Sequence, residues 1–157
     1  MTDIDVEARA CLKDALVKYM TLEMSSYTFD EIATDVSNTS DDSVRRISGF
    51  LYFLYDDTID HAISVSPDEW ATLHRIIAFL ATDLEIRTTE KRDSWPFADA
   101  DEWHAQERFL SEVGLPDYAP EVHGRQIHPW WNRIPTGVGL ALLIVIVVAV
   151  TAVLIQS

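Results

Sequence analysis

The sequence predicts an all-α protein: a compact bundle of about four to five helices followed by one C-terminal transmembrane helix. Three observations predict it. Apolar residues recur at three- and four-residue spacing through most of the chain. Helix-start signals precede several of those stretches. The run 136–155, TGVGLALLIVIVVAVTAVLI, carries no charge and no proline. At about 1.5 Å per helical residue it reaches about 30 Å, the thickness of a bilayer's hydrocarbon core. The expected organisation is therefore an acidic helical soluble domain over 1–114, a linker and interfacial segment over 115–133, and a transmembrane anchor over 134–157.

Taken in order, the first helix is expected over 3–24, where Ile4, Ala8, Cys11, Leu12, Ala15, Tyr19 and Leu22 form a stripe. Asp5, Arg9, Lys13 and Lys18 fall outside it. Asp3, Asp5 and Glu7 suit the positive end of a helix dipole. A second, shorter helix is expected from Thr28, which pairs with Glu31 as a capping box ahead of Ile32 and Val36. The polar run SNTSDD ends it. A third runs from Asp41 to Tyr55 or beyond on the stripe Val44, Ile47, Leu51 and Leu54. Phe50, Tyr52 and Phe53 make it apolar on several sides, so it is the expected central core helix. Strand is the competing assignment for FLYFLY, but the helical pattern extends over more than three turns.

Ser66-Pro67-Asp68-Glu69 is the clearest local signal: a capping serine, a proline at the first helical position, and a glutamate to return the bond. Trp70, Leu73, Ile77, Leu80 and Leu84 then lie on one face, with the helix ending near Ile86. Another amphipathic helix is expected from Asp99 to Val113, stopped by Gly114. Between 115 and 129, three prolines and scattered polar residues read as an irregular linker. Trp95 and Phe97, in a polar stretch, are either a plug over the core or part of a contact patch.

Charge narrows the function classes. The chain of 157 residues holds 12 Lys and Arg against 26 Asp and Glu, a formal net charge of −14, all of it before the apolar run. Such a surface repels phosphate backbones, so no nucleic-acid partner is expected, although 28–55 can be drawn as a helix-turn-helix with Arg45 and Arg46 toward phosphate. Cys11 is the one cysteine, which excludes an intrachain disulfide and a cysteine metal cage; its place in the first stripe makes it a core residue. The opening MTDIDVEARA lacks a signal peptide's apolar region. Arg125 and Arg133 precede the span and no charge follows it, so the expected location is the cell inner membrane, single-pass, with the N-terminal domain cytoplasmic. Trp130, Trp131 and Arg133 supply a membrane interface, and Gly137 and Ala141 a small-residue pair through which two anchors could pack as a homodimer.

The string Asp56-Asp57-Thr58-Ile59-Asp60-His61 carries the chemistry most worth weighing. DDTID has the form DDxxD and resembles the aspartate-rich motif of prenyltransferases and terpene synthases, which implies carboxylates holding Mg²⁺ ions that bind a diphosphate. The chain lacks room for that large helical fold and has no second such motif. As a generic divalent-metal site, Mg²⁺ or Mn²⁺ would be held by Asp56, Asp57, Asp60 and His61, since on a helix Asp56 pairs with Asp60 and Asp57 with His61. Solvated or capping carboxylates, and a salt-bridge cluster with Arg45, Arg46 or Arg75, fit the same residues. His104 and Glu107 share a helix face, and His74 borders the Trp70 face. No GxSxG, glycine-rich phosphate loop or HExxH is present.

The elements LYFLYDD…H, SPDEW…LHRIIAFLATDLEI and WPF, within 44–97, are similar to those of small membrane-associated bacterial proteins with YDD…H, EW and WPF elements. The resemblance implies a bacterial origin and no catalytic residue. The expected role is that of a tail-anchored, non-enzymatic interaction or scaffold protein with a protein partner at the lipid bilayer and no cofactor. The alternative is a membrane-tethered metal-dependent hydrolase or transferase using the DDxxD carboxylates.

Overall fold

The computed structural model describes residues 3–54, 60–87 and 93–123. In it, five helices each start at a side chain that accepts from a backbone N–H of the first turn, the arrangement that satisfies otherwise orphaned donors. Asp5 opens α1, Val6–Met20. Ser25 opens α2, Ser26–Val36. Asp41 opens α3, Asp42–Leu51, which tightens into a 3₁₀ turn at Tyr52–Leu54. Ser66 opens α4, Pro67–Leu80, through the reciprocal capping box with Glu69. Asp99 opens α5, Ala100–Val113, which ends on Gly114 at φ 67. A short α6 follows at Pro120–His123. The described residues are helical with no strand, as expected for an all-α protein, and 50–54 are helical rather than extended.

Helix α1 packs on α2, α3 and α4, α3 also packs on α2, and α5 packs on α4. The core is built from Leu12, Leu16 and Tyr19 of α1, Phe29 of α2, Val44, Ile47 and Leu51 of α3, and Leu73, Ile76 and Phe79 of α4. Ile63, Val65 and Phe97 reach it from the connecting chain. Each such side chain is worth about 1.5–3 kcal/mol when fully buried.

Several expectations are corrected. Helix α3 buries half of its residues, as does α4, whose last five, Ile76 to Leu80, are all buried. The aromatic residues expected to widen the apolar surface of α3 do not do so: Tyr52 and Phe53 fall after the α-helical turns have ended and stand 54% and 77% exposed. Helix α2 starts ahead of Thr28 because Ser25 takes the capping role, its side chain accepting from Thr28 N–H. Helix α4 stops at Leu80, short of Ile86, because the chain turns at Ala81–Thr82 and Ile86 pairs instead with α3. There Ile86 N–H donates to Ser43 Oγ at 3.0 Å, and Arg46 donates to the Ile86 carbonyl at 3.1 Å. Cys11 is exposed, since the buried stripe of α1 passes through Ala8, Leu12 and Ala15 beside it. The stretch after Gly114 is not wholly irregular, because α6 lies within it.

Arg9 is the sharpest correction. Expected on the polar side of α1, it is 2% exposed. Its Nε donates to Asp41 Oδ2 at 2.6 Å, its Nη1 to the Thr82 carbonyl at 2.6 Å, and its guanidinium lies 5.5 Å from the centroid of the Phe79 ring. One buried ion pair thereby ties α1 to the start of α3 and the end of α4. Trp95 and Phe97 act as the plug: Trp95 lies 4.9 Å from Phe50, and Phe97 meets Phe79 edge-on at 5.4 Å.

The chain divides into two units, Met1–Arg125 and Gln126–Ser157. All described residues belong to the first, and among them no helix is long and apolar enough to cross a membrane. The expected anchor, with Trp130, Trp131, Arg133, Gly137 and Ala141, lies outside the described residues, as do Asp56 and Asp57.

Candidate functional site

Asp60 and His61 lie in non-helical chain between the 3₁₀ turn and α4. Neither is on a helix, and their expected partners Asp56 and Asp57 lie outside the described residues. Asp60 Oδ1 accepts from both the backbone N–H and the hydroxyl of Ser26, each at 3.0 Å. The Ser26 hydroxyl in turn accepts from His61 N–H at 3.1 Å. Ser26 is the first residue of α2, so Asp60 sets its charge against the positive end of that helix dipole. This is long-range capping, and Asp60 also lines a concavity of about 380 Å³ together with Glu23 and His61. Among the described residues no three His, Cys, Asp or Glu side chains group closely enough to hold a metal ion.

The arginines considered for a cluster with these aspartates have other partners as well. Arg45 pairs with Asp42 at 2.9 Å one turn earlier, and Arg75 Nε donates to the Trp95 carbonyl at 3.1 Å. His104 meets Glu107 at 3.3 Å on the exposed face of α5.

A second concavity, of about 360 Å³, runs between α2 and α3. It is lined by Ala33, Thr34 and Ser37 of α2 and by Arg45, Ser48 and Gly49 of α3, with Tyr52 from the 3₁₀ turn. A Cβ placed on Gly49 would meet no atom within 4 Å, so the groove is open above it. Ser48 is 6% exposed and its Oγ has no hydrogen-bond partner. Thr34 is shared with a shallower depression along the outer side of α2, edged by Asp30, Glu31 and Asp35. Helix α2 contains no basic residue. The acidic residues thus edge that other depression, while the α2–α3 groove itself carries Arg45 and ends at Tyr52, whose ring meets Phe53 edge-on at 5.9 Å.

The third cluster was not anticipated. The His123 ring stacks on Trp70 at 4.2 Å, and Tyr118 and His74 pack on the same indole. His123 Nδ1 accepts from Ala119 N–H at 3.1 Å, its carbonyl accepts from Val65 N–H at 2.7 Å, and Tyr118 Oη donates to the Val65 carbonyl at 3.0 Å. These bonds hold α6 against the chain that leads into α4. Burial lowers the pKa of both histidines; Arg75 adds to the effect at His74, and Asp117 and Glu121 oppose it at His74 and His123 respectively. The one sequence signal for this site was Trp70 with His74 one turn on; nothing local links it to His123.

Compared with protein-family models, curated proteins and solved structures, the chain matches none. Fold and site together define a class: an acidic helical domain whose open, aromatic-ended groove lies between two helices.

Proposed function

We propose that this is a membrane-anchored interaction or scaffold protein, an acidic helical domain held at the cytoplasmic face of a bacterial inner membrane. Binding, not catalysis, is its task. The observation that carries the reading is the exposure of Tyr52 and Phe53, 54% and 77%, directly beside the α2–α3 groove. Two adjacent aromatic rings offered to solvent at the end of a groove are the composition of a contact surface, since aromatic side chains supply large area at little entropic cost. The anchoring rests on the uncharged run 136–155 and on Trp130, Trp131 and Arg133 ahead of it.

Two measurements test the two halves. After carbonate and high-salt washing the intact chain is expected in the membrane fraction, and recovery in the supernatant would refute the anchor. A photo-reactive phenylalanine analogue at position 53 is expected to cross-link a discrete protein in native membranes, whereas the same probe at exposed Glu107 is not. Equal labelling from both positions, or from neither, refutes the contact surface.

A further inference from the structure

We infer that α6 is a proton-released latch on the helical domain. While the His123 imidazole is neutral, residues 117–123 close over Trp70; its protonation frees them and uncovers the indole, with α1–α5 still folded. The inference stands apart from the contact surface at Tyr52 and Phe53 and adds a control element to the fold.

A small set of contacts holds the latch. Val65 N–H donates to the His123 carbonyl at 2.7 Å, Tyr118 Oη donates to the Val65 carbonyl at 3.0 Å, and the His123 ring stacks on Trp70 at 4.2 Å. A helix as short as Pro120–His123 does not persist in water by itself, so α6 exists only while docked. The rest of the domain depends on it far less. Among the described residues every buried apolar side chain lies at or before Phe97, so release of 117–123 removes none of them.

Geometry makes His123 the trigger. Its Nδ1 accepts from Ala119 N–H at 3.1 Å, which places the proton of the neutral ring on Nε2. A proton added at Nδ1 sets two N–H donors against each other and removes an acceptor inside α6. His123 is also only 4% exposed, so the imidazolium forms with little water around it. Stacking on an indole favours a cation, but that attraction does not restore the lost bond. His74 packs on the same indole at 5.7 Å, so protonating both rings brings two positive charges to one side chain. Charges reach these rings from each packed segment. Glu121 of α6 favours protonated His123, Asp117 favours protonated His74, and Arg75 of α4 opposes the latter. Asp93 and Asp68 act on Arg75 in turn. Burial outweighs the carboxylates at both histidines.

The test measures amide hydrogen exchange, residue by residue, on the full chain in detergent at about pH 7.5 and about pH 5.5. Protection factors divide out the intrinsic pH dependence of exchange. At the lower pH the protection of Val65, Val122 and His123 is expected to fall about tenfold, as release to one histidine of ordinary pKa, about 6.5, allows. Leu12 and Leu73, in the cores of α1 and α4, are expected to keep theirs. His123→Asn offers a carboxamide oxygen in place of Nδ1 and takes up no proton in this range, so most of the fall is expected to vanish. Glu121→Gln changes an exposed side chain and removes a carboxylate that favours the cation, so it is expected to move the fall to lower pH.

Protection at Val65 that is equal at the two pH values overturns the inference. So does an equal loss at Leu12 and Leu73, because the whole domain would then be opening. An undiminished fall in His123→Asn assigns the trigger to another group and overturns it as well. Should His123→Asn fail to fold by circular dichroism, Glu121→Gln decides alone: an unmoved or raised midpoint overturns the latch.

Discussion

Arg9 shows how much a single residue can hold. Its guanidinium satisfies Asp41 and the Thr82 carbonyl, and Asp41 in turn accepts from the first-turn N–H groups of α3. Replacing Arg9 by Ala leaves a buried carboxylate without its counter-charge, so a loss of about 3–5 kcal/mol is expected in chemical denaturation. Acid acts at the same place. Burial raises the Asp41 pKa, but the hydrogen bond and charge of Arg9, with the N–H groups of Val44 and Asp5, prevail and hold it below the ordinary carboxylate value. A depressed carboxylate pKa contributes stability that is complete above the unfolded value of about 3.9 and is lost as pH falls through the folded one. Tyr19 behaves in the opposite sense. Burial, and then the charge of Asp60, push its pKa far above the usual phenol value, and its hydroxyl has no hydrogen-bond partner. Tyr19→Phe keeps the stack on Phe29 and removes that cost, so it is expected to stabilise the fold by about 1 kcal/mol in a thermal melt.

At the scale of the element, helix boundaries were legible where a local signal set them, as at Ser66 and Gly114, and were not where a distant contact intervened. Ser66 and Glu69 lie three residues apart, so their reciprocal bond is written in local order. Thr28 and Glu31 carry the same pattern, yet Ser25 takes the cap, because Asp60 arrives from a distant part of the chain to bind Ser26. The apolar stripe of α4 continues to Leu84, but Ile86 is drawn to Ser43 and Arg46 of α3 and the helix stops at Leu80. Helix α3 itself carries a removable weakness. Gly49 lies within it on an exposed face, where a methyl group meets nothing, so Gly49→Ala is expected to gain about 0.5–1 kcal/mol. A denaturant titration reads it, and an unchanged midpoint would show that the glycine costs the helix nothing.

For the whole molecule, the Trp70 cluster adds a second response to pH, above the acid range in which Asp41 acts. His74 and His123 have folded pKa values below the ordinary one of about 6.5, so the folded state favours their neutral forms. Their contribution to stability is complete above about 6.5 and declines as pH falls toward the lowered values, by at most about 1.4 kcal/mol per pH unit for each histidine. Protonation of His123 at Nδ1 would also remove the acceptor for Ala119 N–H, loosening α6. The paired variant His74→Gln, His123→Gln is expected to flatten the stability profile between about pH 4.5 and 6.5 relative to the unmodified chain. A profile of unchanged slope would move the sensitivity to other groups.

Local order was enough to predict the helical class, the cap at Ser66, helix starts near Asp41 and Asp99, the stop at Gly114 and the acidic surface, because each depends on residues close together in the chain. The uncharged run 136–155 is likewise read from composition alone. Packing settled the rest. Arg9 and Asp41 are 32 residues apart, Ser26 and Asp60 34, and His123 meets Trp70 across the chain that contains α5. No periodicity encodes such meetings, since burial of a charge or the opening of a groove is a property of two surfaces together. The α2–α3 groove belongs to this second kind: its lining is shared between Ala33, Thr34 and Ser37 of one helix and Arg45, Ser48 and Gly49 of the other.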